Sequence, residues 1–278
     1  MHNLSSLFSL KDKYILITGA AGLLGIKHAE AIALAGGKPI LTDINTDSLK
    51  RISEEIENKY NTTCLFFKMD VTSEISVNEI YNILKGKNIF VNVLINNAAR
   101  NPKVEDSTNK LNLRNRLEFL DLESWNLDIS VGLTGAVICS KVFGTCMANR
   151  KKGNIINISS DLGIIAPDQR LYRKENLLDS EQDVKPASYS VVKHGLIGLT
   201  KYFASYWGDK NVRCNALSPG GILNEQNSTF LKNIQDRIPL GRMAYADEYQ
   251  GAIIFLSSDA SSYMNGSNLI MDGGRSIW

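Results

Sequence analysis

Short apolar runs alternate with longer amphipathic stretches along almost the whole chain. The runs at 13–18, 38–43, 64–68, 92–96, 153–158, 211–217 and 268–271 are nearly continuous in apolar residues, the pattern of strands buried on both faces of a parallel sheet. Stretches at 23–36, 46–60, 73–86, 123–149, 187–208 and 246–257 space their apolar residues as helices do. Strands alternating with helices require right-handed crossovers and helices on both faces of the sheet, which predicts a doubly wound α/β fold of seven parallel strands. No internal repeat or low-complexity linker interrupts the pattern, so one domain spanning 1–278 is expected.

Three local signals add chemistry to this frame. The first strand runs into Thr18-Gly-Ala-Ala-Gly-Leu-Leu-Gly25. Gly19, Gly22 and Gly25 permit a tight turn and a close backbone approach, and the following helix offers Leu23, Leu24 and Gly25 amides to an anion. The second strand ends in Asp43, 24 residues beyond Gly19, where a carboxylate can accept hydrogen bonds from ribose hydroxyls and repel a 2′-phosphate. No Arg or Lys falls within 19–25 and Ile44 follows the acid, so NAD is expected over NADP. The third signal is Tyr189-Ser-Val-Val-Lys193, two residues four apart on one helix face. A phenol has a pKa near ~10, and an ammonium within ~4–6 Å lowers it by roughly 1–3 units, towards the range useful for proton transfer.

In their order and spacing these elements resemble the short-chain dehydrogenase/reductase family, single-domain branch. The matching elements are Gly19 with Gly22 and Gly25, Asp43, Asp70-Val71, Asn96-Asn97-Ala98, Asn157-Ile-Ser-Ser160, Tyr189 with Lys193, Arg213 to Gly220, and Asp272-Gly-Gly274. The resemblance implies a Rossmann-type fold and roles position by position. Tyr189 is expected to be the acid–base, Lys193 to tune it and hold the nicotinamide ribose, and Ser160 to hydrogen-bond the substrate oxygen. Asp70 and Val71 would contact the adenine, Asn96, Asn97 and Ala98 the adenosine ribose, and Pro219, Gly220 and Ile222 the nicotinamide. Within the family the insert Pro167-Asp-Gln-Arg-Leu-Tyr172 and the run Tyr189 to Leu196 resemble oxidoreductases of flagellin-modification and amino-sugar pathways. The resemblance also implies a homodimer or homotetramer.

Four positions depart from the family pattern. Leu23 stands where a glycine is usual, and Gly132 stands where a fourth catalytic residue, an asparagine, is usual. Asn224 replaces a threonine near the nicotinamide. Ser160 and Tyr189 lie 29 positions apart, against about a dozen in the family. The additional stretch, about 167–186, must emerge beside the site because both its ends do, and Arg170, Arg173 and Lys174 in it are candidates to bind an anionic sugar phosphate or nucleotide sugar. The polar segment 101–118, with Arg114 and Arg116, is placed either at the rim of the site or as an ordinary surface loop.

Composition narrows the alternatives. Net charge is +2, from 31 basic and 29 acidic residues, which leaves no nucleic-acid or membrane footprint. Four cysteines, at 64, 139, 146 and 214, lack metal-site spacing, so no metal is expected and core positions in a reducing, cytoplasmic setting are. The N-terminus shows no signal-peptide pattern, and no apolar run reaches transmembrane length. The expected activity interconverts a secondary alcohol and a ketone on a small molecule. The alternatives are a 3-oxoacyl thioester reductase and a non-catalytic dinucleotide-binding protein.

Overall fold

A computed structural model describes residues 4–100 and 115–278. After one turn of helix, α1 (Leu4–Leu7), β1 (Tyr14–Thr18) leads through the glycine turn to α2 (Leu23–Leu34). Then come β2 (Lys38–Asp43), α3 (Thr46–Tyr60), β3 (Leu65–Lys68), α4 (Glu74–Gly86) and β4 (Val91–Asn96). A long helix, α5 (Leu122–Asn149), precedes β5 (Gly153–Ile158). The chain closes with α6 (Ala187–Tyr206), β6 (Val212–Pro219), α7 (Ser228–Gln235), α8 (Gln250–Ser257) and β7 (Asn268–Met271). All seven strands are parallel in the order 3-2-1-4-5-6-7. Sheet order reverses between β1 and β4, and in such a sheet the crevice beyond the carboxyl ends of those strands is the expected ligand site.

Alternation along each strand sends side chains to two separate cores. Ile15 and Ile17 of β1 face α2, α3 and α8, whereas Leu16 faces α4, α5 and α6. The helix α5 buries Asp128, Gly132, Gly135, Ala136, Cys139, Ser140, Phe143, Gly144 and Met147, a stripe of helical spacing that lies against β4 and β5. Two π-helical turns, Ser130–Thr134 and Ser140–Gly144, interrupt it. Three glycines on this stripe sit where a β-carbon would strike a neighbour: Gly132 against Val192, Gly135 against Val71 and Gly144 against Trp207. An 18-residue window of α5 has a mean hydropathy of 1.5, a value that helices covering a protein core also reach. The apolarity has a local cause: one side of the helix covers the sheet.

The stretch 167–186 is folded on itself, with its exposed positions at 169, 170, 173, 175, 176 and 178–180. Two 3-10 turns, Gln169–Tyr172 and Asp179–Glu181, shape it. Gln182 ties it together, accepting from Lys174 N and donating to the carbonyls of Lys174 and Leu177. It docks on α7, a helix the sequence reading passed over although Asn227 caps it. Leu171 and Tyr172 join Phe230, Ile234, Ile238 and Met243 in a small third core.

Candidate active site

At the carboxyl end of β1, Gly19 adopts a positive φ of 62° and a β-carbon there would lie 2.7 Å from the Ala98 backbone. Only glycine meets both conditions. Gly25 is held as tightly, since a β-carbon on it would come within 2.5 Å of the Gly19 carbonyl. At Gly22 the same atom would touch nothing closer than 3.4 Å. Gly22 caps α2 without any side-chain hydrogen bond, and the first-turn amides, including those of Leu23 and Leu24, have no intrahelical acceptor. An anion cradle is thus formed despite Leu23.

Asp43 does not cap the next helix; Asn45 does, accepting from Ser48 N at 3.1 Å. The two oxygens of Asp43 instead accept from Ala21 N at 3.1 Å and Asn45 N at 3.0 Å, which fixes the carboxylate against the glycine turn. Among the described residues no Lys or Arg pairs with it. Asp70 accepts both the amide and the hydroxyl of Thr72, and Val71 is buried against Gly135. Asn97 donates to the carbonyls of Thr18 and Gly19, and the amides of Asn97 and Ala98 donate to the Thr18 hydroxyl. These bonds lock the ends of β1 and β4 together. The side chain of Asn96 is buried and donates to Ser140 and Asn157. On the other side of the crevice Gly220 donates its amide to Met271 and accepts from the Tyr249 hydroxyl at 3.2 Å. Pro219 ends β6, and Ile222 bridges to Ala244. Asn224 is exposed beside Gln226. The donors, the cradle and the unpaired carboxylate suit a dinucleotide.

Ser160 and Tyr189 meet at the end of β5, Ser160 from the turn after the strand and Tyr189 from the first turn of α6. Lys193 is buried one turn further on, donating to Ile158 O at 2.8 Å, with its ammonium 5.6 Å from the Tyr189 ring centre. The Tyr189 phenol differs from the expectation. Burial raises its pKa above the usual value, the hydroxyl of Ser160 works in the opposite direction, and the charge of Asp161 adds to the rise. Desolvation of the phenolate outweighs the nearby ammonium in this state. Burial, with a smaller push from Lys185, lowers Lys193 to about 8.

Two charged residues that sequence reasoning missed complete the surroundings. The ammonium of Lys185 lies 4.0 Å from the Tyr189 ring centre, and burial lowers its pKa to about 8 against the pull of Asp161 and Asp128. Gln169 fixes its backbone, accepting from Lys185 N and donating to Lys185 O. Its position four before Tyr189 was the available signal, weakened by Pro186 between them. Asp161 follows Ser160 directly and pairs with Arg275 at 2.7 Å, both buried. The three cations expected to meet an anion are paired within the insert: Arg170 with Asp168, Arg173 with Asp179 and Lys174 with Asp183. Arg116 donates to the carbonyls of Asp179 and Gln182 at the insert's edge. Arg114 lies outside the described residues.

A Rossmann-type sheet with a glycine cradle, an acid at the second strand and a Ser–Tyr–Lys group at the fifth defines a dinucleotide-binding oxidoreductase fold. Family models described as "short chain dehydrogenase" and "Enoyl-(Acyl carrier protein) reductase" match residues 13–172 and 180–276. The chain is 31% identical to the 3-oxoacyl-[acyl-carrier-protein] reductase of Aquifex aeolicus over 95% of its length and 98% of that protein. It is 30% identical to the 2-dehydro-3-deoxy-D-gluconate 5-dehydrogenase of Bacillus subtilis, covering 99% and 98%. The post-translational flagellin modification protein A of Campylobacter coli is 29% identical, covering 95% and 98%. A short-chain dehydrogenase structure from Leptospira borgpetersenii with bound NAD+ superposes with a TM-score of 0.83 at 29% identity, covering 100% and 97%. The chain belongs to the short-chain dehydrogenase/reductase family and is an oxidoreductase of the alcohol/ketone type.

Proposed function

We propose that this protein uses NAD to interconvert a secondary alcohol and a ketone on a sugar-derived substrate bearing an anionic group. The observation that carries the reading is the meeting of Ser160, Tyr189 and Lys193 at the strand ends beside the cradle closed by Asp43. In this reading the glycine turn and α2 hold the pyrophosphate, Asp43 the adenosine ribose, Asp70 and Val71 the adenine edge, and Pro219, Gly220 and Ile222 border the nicotinamide. When bound, the dinucleotide supplies the hydride. Tyr189 exchanges a proton with the substrate oxygen, Ser160 hydrogen-bonds that oxygen, and Lys193 stabilises the phenolate that oxidation requires. Lys185, fixed over the phenol ring, receives the anionic group, a role first expected of Arg170, Arg173 and Lys174. NAD is favoured because the fixed carboxylate of Asp43, with Ile44 exposed beside it, repels a 2′-phosphate.

A homodimer or homotetramer fits the exposed β7 edge, where Ile270, Ile277 and Trp278 are accessible. The Aquifex relative favours a second reading, reduction of a 3-oxoacyl thioester. NADH and NADPH oxidation with ketosugars, ketosugar phosphates and acetoacetyl thioesters separates the two readings. Tyr189→Phe is expected to lower kcat by about 10²-fold or more on whichever compound turns over. An unaltered rate removes the acid–base role, and a preference for NADPH overturns the cofactor assignment.

A further inference from the structure

Asp128 of α5 is 7% exposed, and burying a carboxylate is costly unless it is paired and hydrogen-bonded. Both of its oxygens are engaged, each from a segment that borders the site. Oδ2 accepts from the Ser188 hydroxyl at 2.6 Å, on the residue before Tyr189, and Oδ1 accepts from Arg100 Nη1 at 3.0 Å. Arg100 follows closely on Asn97, whose bonds to Thr18 and Gly19 fix the end of β4 at the crevice. The ion pair therefore ties the end of β4 to the first turn of α6. Asp128 holds the guanidinium by one nitrogen: among the described residues its other N–H groups have no acceptor, and the side chain is 40% exposed. The charge of the same carboxylate also acts on Lys185, whose ammonium lies 4.0 Å from the Tyr189 ring centre. Two cations thus share one buried acid beside the phenol.

We propose that Arg100, held by Asp128 and Ser188, is a specificity-determining residue that joins Lys185 in binding the phosphate of a sugar phosphomonoester. The inference rests on the reading above that Lys185 receives an anionic group, and it narrows what that group is. Around Tyr189 the cations Arg100, Lys185, Lys193 and Arg275 outnumber the carboxylates Asp128 and Asp161 by two. The insert's acids Asp168, Asp179 and Asp183 each have a cation of their own. A surplus of two positive charges suits a phosphate dianion better than the single charge of a carboxylate. The shape of the donors agrees. A guanidinium is planar and offers pairs of N–H groups that match two phosphate oxygens, whereas the ammonium of Lys185 acts as a point charge. An anion meeting the outward N–H groups of Arg100 leaves the bonds of Asp128 to Nη1 and to Ser188 intact, so binding breaks nothing already formed.

The test titrates the enzyme–NADH complex with sorbitol, gluconate and sorbitol 6-phosphate by calorimetry, three open-chain compounds that differ at one terminal group. Wild type is expected to bind sorbitol 6-phosphate about tenfold more tightly than gluconate, and gluconate about tenfold more tightly than sorbitol. Arg100→Gln is expected to bring the phosphate to within about twofold of the carboxylate while sorbitol binding stays unchanged. A merely structural bridge between β4 and α6 would weaken all three compounds together. Arg100→Lys, which keeps the ion pair with Asp128 but not the planar fork, is expected to retain a preference of about threefold. The wild-type comparison holds whatever the fold of a variant. Gluconate bound as tightly as sorbitol 6-phosphate overturns the proposal, as does a phosphate preference that survives Arg100→Gln. If no compound binds, or neither anion binds more tightly than sorbitol, the reading of an anionic substrate itself fails. If gluconate outbinds sorbitol but the phosphate gains nothing further, only the present inference fails.

Discussion

Replacing Gly132 by Ala tests why the long helix α5 carries a glycine where a family asparagine is usual. The new β-carbon would lie 2.6 Å from Val192 Cγ1, about 1 Å inside ordinary carbon contact. Val192 cannot swing aside cheaply, since a β-branched residue in a helix has one strongly preferred rotamer, and it is 4% exposed. Overpacking of this kind costs about 1–3 kcal/mol. Val192→Ala alone removes two buried methyl carbons, about 2 kcal/mol with the cavity it leaves. In the double variant the two alanines share the space, so the combined loss should fall short of the sum by about 1–2 kcal/mol. Urea unfolding of the four proteins measures this coupling. Because Val192 precedes Lys193, the single Gly132→Ala change should also reduce kcat by about tenfold, with recovery in the double variant. Additive stabilities, or a kcat that does not recover with Val192→Ala, would show that the glycine answers to something other than this contact.

Two further outcomes follow from the charges. His28 on α2 is wholly buried with neither ring nitrogen hydrogen-bonded among the described residues, and burial lowers its pKa to about 3. Since the folded value lies below the unfolded one near ~6.5, its neutral ring contributes full stability above that pH, and the contribution is lost as pH falls towards 3; at pH 5 the loss is about 2 kcal/mol. His28→Leu should flatten the decline between pH 7 and 5 in urea unfolding, and a parallel decline in both proteins would remove His28 as its source. Lys185→Met should raise the KM for gluconate about tenfold while leaving that for sorbitol unchanged, and should abolish any rise in the gluconate KM above pH 8, where wild-type Lys185 loses its charge. Equal effects on both compounds would refute anion recognition by this lysine.

The central strands were legible because strands buried on both faces are largely apolar, so runs such as Ile15 to Ile17 need no periodicity analysis. Gly19, Gly25 and Asp43 were legible because backbone geometry leaves few alternatives at those places. Less was visible where a side chain's direction decides its part. The inward turn of the Asn96 side chain was not visible, since its partners Ser140 and Asn157 lie 44 and 61 positions further along the chain. The basic residues of the insert were visible, but not that each has an acid beside it. α7 was overlooked because its apolar face, Phe230, Leu231 and Ile234, is completed only by Leu171 and Tyr172, some 60 residues earlier in the chain. The length of α5 was read correctly, since its apolar side covers the sheet along most of the helix.

The small third core has a mechanical consequence. The buried residues Leu171, Ile234, Ile238 and Met243, with the Tyr172–Phe230 ring pair and the Arg237–Asp168 ion pair, join the insert to α7 and the chain just after it, apart from the two large cores flanking the sheet. A patch that size unzips at far lower cost than the scaffold beneath it. The scaffold that carries Tyr189 and the strand ends is thus expected to resist local opening longer than the insert and α7, which share this patch.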